Sequence, residues 1–145
     1  MAVLIHNRKA SFNYEIMERF EAGLELLGPE VKSLRKGQGS LDGAYVVVRG
    51  AEAFLVGMTI PPYQVNNQKD YEQMRMKKLL LTKPEILHLS EIERGLTIVP
   101  ISVYNKGHRI KIEIASVRGK KKFDKRETIK KRDVERQIRR EHSDR

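Results

Sequence analysis

A chain of 145 residues suits one domain around one hydrophobic core. It carries 29 Lys and Arg against 19 Asp and Glu, a formal net charge of +10, with 39% hydrophobic residues and no cysteine. Disulfides and thiolate chemistry are therefore excluded, and the excess of cations points to a polyanion, nucleic acid before an anionic membrane. No apolar run approaches the ~20 residues that a spanning helix needs. The opening, Met1 to His6, is apolar but too short for a secretory segment, and no small-residue cleavage site follows. The cytoplasm is the expected compartment.

The first clear element follows the opening. Phe12, Tyr14, Ile16, Phe20, Ala22 and Leu24 recur at even positions, with Asn13, Glu15, Arg19 and Glu21 between them. Only Met17-Glu18 breaks the alternation, and period two predicts a long half-buried strand. Gly28-Pro29 punctuates the chain. Pro29 suits a first helical turn, Val31 and Leu34 share a face, and Gly37 suits a stop, which predicts a short helix over 29–36. Two apolar runs, 44–48 and 53–56, flank Arg49-Gly50-Ala51-Glu52 and predict a hairpin. Residues 63–73 are polar and aperiodic, a predicted loop. Thr82 and Glu85 form a capping box for a helix through Ile86, Leu89 and Ile92 that stops at Gly95. A strand over 96–104, a turn at Asn105-Lys106-Gly107 and a strand through Ile110, Ile112 and Ile114 follow.

Several antiparallel strands with short helices predict a mainly β fold. An OB-like antiparallel barrel of five strands fits both the count and the charge. The texture changes near Gly119. Residues 118–145 hold 13 Lys and Arg against 6 Asp and Glu, while residues 1–117 hold 16 against 13. Ile129, Val134 and Ile138 are the tail's only aliphatics. They roughly share a helical face but offer too little apolar surface to order the segment alone. The expected organisation is a barrel over 1–118 and a basic tail over 119–145, disordered when free and helical on a partner.

Motifs for catalysis are missing. His6, His88, His108 and His142 lack metal-ligand spacing, and there is neither a nucleophile elbow nor a phosphate-binding Walker loop. The glycines at 37, 39 and 43 have the wrong spacing for a dinucleotide fingerprint and read as turn residues. An RNA-modifying enzyme would need a metal cluster or cofactor loop, so the expectation is a binding protein with no cofactor. A generic single-strand binder would need several exposed aromatics; the nine present include no Trp and fall mostly at core-facing strand positions.

Ordered blocks carry a resemblance. Asn7-Arg8-Lys9-Ala10, Tyr14, Phe20-Glu21-Ala22-Gly23, Gly28-Pro29-Glu30-Val31-Lys32-Ser33-Leu34-Arg35, Arg75-Met76-Lys77-Lys78-Leu79-Leu80-Leu81, Gly95-Leu96-Thr97-Ile98-Val99-Pro100, Lys111-Ile112-Glu113, Gly119-Lys120-Lys121 and Asp124-Lys125-Arg126 resemble, in order and spacing, the SmpB family. The resemblance covers residues 6–132. It implies an OB-like barrel with added helices, no enzymatic activity, and binding to the tRNA-like part of transfer-messenger RNA. It further implies delivery of that RNA to stalled ribosomes in trans-translation, with elongation factor Tu as a further partner in the delivery complex. The tail is implied to enter the empty message channel beyond the decoding region and meet ribosomal RNA. Two positions depart from the family pattern. Phe12 stands where many members have His, and Lys69-Asp70-Tyr71-Glu72 replaces an acidic or His residue followed by Pro.

The candidate RNA contacts are Asn7, Arg8, Lys9, Phe12, Tyr14, Glu21, Lys32, Arg35, Leu80 and Lys111. Arg suits phosphates and stacked bases, and Asn can read a base edge. Glu21 reads either as the partner of a nearby Lys or Arg or as an acceptor for an exocyclic amine or a ribose hydroxyl. Lys111 alternates with Ile110 and Ile112 and should face solvent, where it meets phosphate. Glu30 is expected to support its helix by offsetting the dipole. The ribosome-facing candidates are Gly119, Lys120, Lys121, Asp124, Lys125, Arg126, Lys130, Lys131 and Arg132. Nothing in the sequence demands an oligomer, so a monomer is expected.

Overall fold

The computed structural model describes residues 2–63 and 71–119. In chain order the elements are β1 (Ala2–His6), α1 (Arg8–Asn13), β2 (Tyr14–Leu24), α2 (Gly28–Arg35), β3 (Tyr45–Arg49), β4 (Glu52–Val56), β5 (Lys77–Leu80), α3 (Lys83–Glu93), β6 (Thr97–Lys106) and β7 (Arg109–Gly119). One antiparallel sheet runs β1-β6-β7-β2-β5-β4-β3. Strand β3 packs back beside β6, so the sheet curls into a barrel around a core that includes Leu34, Leu55, Met58, Leu79, Leu89, Ile112 and Ile114. The architecture is mainly β with short helices, as expected.

Strands β2 and β7 form the long spine, from Tyr14 opposite Gly119 to Gly23 opposite Lys111. The broken alternation at Met17 is a register shift between Ile16 and Glu18. One extra residue flips every side chain beyond it to the other face. Tyr14 and Ile16 therefore pack on a second cluster of Ala10, Val99, Ile101, Ala115 and Val117, while Phe20, Ala22 and Leu24 belong to the barrel core. Strand β6 does the same between Pro100 and Ser102. A bulge is also where a central strand tolerates a proline, which has no N–H for the ladder.

The capping box of α3 forms as predicted: Thr82 Oγ1 accepts from the Glu85 N–H at 3.4 Å, and Glu85 Oε1 accepts from the Thr82 N–H at 2.9 Å. The β3–β4 hairpin turns at Gly50, whose φ of +62° suits glycine. Among the described residues seven strands stand where five were counted. The apolar opening is β1, and α1 takes residues that the alternation assigned to the long strand. Phe12 therefore lies on a helix rather than at the start of β2. Residues 71–76 have no regular structure, but the Ile60 N–H donates to the Gln73 carbonyl at 2.9 Å and anchors them. The expected tail lies outside the described residues from Lys120 onward. Among the described residues no helix is long and apolar enough to cross a membrane.

Candidate nucleic-acid interface

Lys111, Gly23 and Leu80 stand side by side on three neighbouring strands, β7, β2 and β5. They form the floor between two clefts. One, of about 290 Å³, adds Arg35, His108 and Arg109; the other, of about 550 Å³, adds Glu21, Lys78 and Lys83. Leu80 is 52% exposed while its neighbour Leu79 is buried in the core. The strand period sends adjacent residues to opposite faces, which leaves an apolar side chain among cations on the outer surface. Gly23 carries no side chain over this floor. A Cβ built there would come within 3.0 Å of the Leu80 Cβ. The arrangement offers phosphate-binding cations on either side of a bare, partly apolar platform for a ribose or a base edge.

Glu21 sits on the outer face beside this floor. The Tyr104 hydroxyl donates to its Oε2, and Lys106 Nζ donates to its Oε1 at 3.0 Å. The hydrogen bond from Tyr104, then that from Lys106, outweigh slight desolvation and hold the Glu21 carboxyl below the usual range, with Lys111 adding its field. Burial and the Glu21 carboxylate push the Tyr104 hydroxyl up. Glu21 thus stays anionic, and each oxygen keeps a lone pair for an RNA donor.

Helix α2 forms one wall of the smaller cleft. Arg35 Nη2 donates to the His108 carbonyl at 3.2 Å. Lys32 lies 5.5 Å from the centre of the Tyr63 ring and Lys36 lies 4.6 Å from it, both within cation–π range. Glu30 goes beyond the expected dipole role. It is buried, and it accepts from Leu27 N–H, Arg75 Nη2 and the Tyr71 hydroxyl at 2.7, 2.6 and 2.8 Å. Burial pushes its carboxyl up, but Arg75, the Leu27 amide and Tyr71 outweigh this and place it below the ordinary value. Burial together with Glu30 pushes the Tyr71 hydroxyl up in turn. Lys77 is buried beside them, donating to the carbonyls of Arg75 at 2.6 Å and Met58 at 3.3 Å.

The remaining candidates gather at the α1 corner. Lys9 Nζ lies 3.7 Å from Asp42, and Lys9, Asn13, Tyr14 and Tyr45 line a cleft of about 390 Å³. Arg8 and Phe12 lie on the same short helix. Asn7 is buried rather than presented. Its Nδ2 donates to the Pro100 carbonyl at 2.9 Å and its N–H to the Ile101 carbonyl at 2.8 Å. These are the carbonyls at the β6 bulge, so Asn7 ties α1 to that bulge. Replacing Asn7 by alanine is expected to destabilise the fold by about 1–3 kcal/mol, because the buried Pro100 carbonyl loses its partner. A denaturant melt reads this; an unchanged midpoint would return Asn7 to the contact class.

The candidates thus form two groups. Lys111, Leu80, Glu21 and Arg35 surround the cleft end of the spine, with Lys32 on the same helix as Arg35, while Arg8, Lys9, Phe12 and Tyr14 sit at its other end, beside Gly119. Tyr14 and Gly23 lie nine positions apart along β2, about 30 Å of extended strand. Lys120, Lys121, Asp124, Lys125, Arg126, Lys130, Lys131 and Arg132 lie outside the described residues. Gly23 was not among the sequence candidates, although it lies inside one of the quoted blocks.

The family model described as SmpB protein matches residues 4–144. The SsrA-binding protein of Chlorobaculum tepidum is 50% identical over 137 residues, covering 92% of this chain and 87% of that protein. That of Mycoplasmoides gallisepticum is 43% identical over 141 residues, covering 96% and 99%. A solved chain, from work described as "tmRNA-SmpB: a journey to the center of the bacterial ribosome", is 38% identical. It has a TM-score of 0.70 and covers 84% of this chain and 87% of its own. The chain belongs to the SmpB family.

Proposed function

We propose that this chain is a non-enzymatic RNA-binding protein of trans-translation, at work in the cytoplasm. It binds the tRNA-like part of transfer-messenger RNA and carries that RNA to stalled ribosomes, with elongation factor Tu a further partner in delivery. The organisation that serves this is a barrel over 1–118 and a basic tail over 119–145. The observation that carries the reading is the row of Lys111, Gly23 and exposed Leu80, with Glu21 on one side and Arg35 on the other. Family membership supplies the RNA's identity. Within this reading Lys111, Arg35 and Lys32 meet phosphates, Leu80 meets a ribose or base, and Glu21 accepts from an RNA donor. Arg8, Lys9, Phe12 and Tyr14 form a second contact at the corner, which Asn7 holds in shape.

The test is a titration of transfer-messenger RNA, ordinary tRNA and random RNA at several salt concentrations. Four to five neutralised phosphates predict a log–log slope of about −4, with transfer-messenger RNA bound most tightly. A flat salt response would remove the backbone contacts, and equal affinity for random RNA would leave only a generic binder.

A further inference from the structure

Glu30 is the only buried carboxylate among the described residues, and Lys77 the only buried ammonium. Helix capping does not account for this. Glu85 holds the equivalent third position of α3 and closes its cap while remaining partly exposed. Glu30 closes its own cap on the Leu27 N–H with Oε1, and the same oxygen also accepts from Arg75. Its Oε2 accepts from Tyr71. One carboxylate therefore joins α2 to a segment more than forty residues away in sequence. Lys77 clamps that segment from inside through the Arg75 carbonyl.

That segment leads into β5, so Glu30 ties α2, one wall of the smaller cleft, to the strand that carries Leu80 on its floor. Arg35 lies five residues after Glu30 on α2, and Leu80 lies five residues after Arg75 on β5; both line that cleft with Lys111. We propose that Glu30 is a positioning residue that sets the spacing between the α2 wall and this floor, and that it tunes RNA affinity through Arg35 without touching RNA. The inference rests on the cleft as the RNA site. A bent salt link would do this poorly. Three hydrogen bonds on one buried carboxylate fix direction as well as distance.

A double-mutant cycle in RNA affinity tests it, using the full chain and the tRNA-like part of transfer-messenger RNA well below each variant's melting temperature. Glu30→Gln and Arg75→Gln are each expected to weaken binding about tenfold. In the Arg35→Ala background each is expected to add less than about twofold, because the group being positioned is already gone. Additive losses would overturn the proposal, as would unchanged affinity in a folded variant. If Glu30→Gln does not fold, Arg75→Gln carries the same cycle, since its side chain is one-third exposed. The failure of the cleft itself looks different: Arg35→Ala and Lys111→Ala would then both leave binding unchanged. In that case any loss with Glu30→Gln would also run outside Arg35 and overturn the inference.

Discussion

Replacing Gly23 by valine is expected to weaken RNA binding by about 30-fold or more, roughly 2 kcal/mol, while the barrel stays folded. Gly23 has ordinary extended backbone, since it is not among the glycines with positive φ. Valine is therefore allowed there and fits a strand better than glycine does. What changes is the floor. The new Cβ meets the Leu80 Cβ at 3.0 Å and the Leu80 Cδ1 at 3.3 Å, and its methyl groups stand where the two clefts join. Leu80 must move, and the platform between Lys111 and Leu80 is filled. Stability is expected to stay within about 1 kcal/mol, the regained backbone entropy offsetting the tight contact. A melt and an RNA titration on the same sample separate the effects. Unchanged affinity would show that RNA does not use this floor. A melting loss that tracks the binding loss would make Gly23 a structural glycine only.

The fold was legible wherever a period ran long enough. The alternation of β2 carried its own exception at Met17, and that exception is the bulge that lets Ile16 and Phe20, both at even positions, serve two different cores. Thr82 and Glu85 announced α3 because capping is local chemistry between residues three apart. Strand β1 and helix α1 were not legible. Five and six residues complete too few periods to distinguish helix from strand, and Phe12 fell by parity on the alternation of the strand that follows. The determinant of this corner is Asn7 on the Pro100 carbonyl, a contact spanning 93 residues that no local pattern displays.

The site divides in the same way. Lys111 was legible from its alternation with Ile110 and Ile112, and the resemblance marked Leu80 within an otherwise apolar run. Gly23 contributes by lacking atoms, so chemistry-bearing side chains do not reveal it. The charges of Arg75 and Lys77 mislead in the other direction. In a basic protein they look like phosphate ligands, yet Arg75 binds the buried Glu30 and Lys77 points into the core. The signal that could have found them is position: Lys77 and Leu79 share a strand face by period two, and Leu79 is core.

Truncation after Lys122 is expected to abolish peptide tagging on stalled ribosomes while leaving affinity for transfer-messenger RNA within about threefold of the full chain. Gly119 ends β7 opposite Tyr14, whereas Lys111 lies eight residues back, opposite Gly23. That is about 26 Å of strand, so the tail departs from the end of the spine remote from the cleft. Removing it takes no residue from the row of Lys111, Gly23 and Leu80, and none from the buried clusters. What it removes is charge and the Asp124-Lys125-Arg126 block. Residues 118–145 carry 13 cations against 6 anions, and Ile129, Val134 and Ile138 are their only aliphatics. Such a segment gains little by packing on its own chain and much by meeting ribosomal RNA phosphates on several sides. We propose that its ordering belongs to the ribosome-bound state, where those contacts offset the lost entropy. The measurements are an RNA titration, a melt and a tagging assay on ribosomes stalled at the end of a truncated message. Normal tagging by the shortened protein would overturn the division of labour between barrel and tail. So would slow hydrogen exchange across residues 120–145 in the free protein, because a tail already ordered would have nothing left to gain from the ribosome.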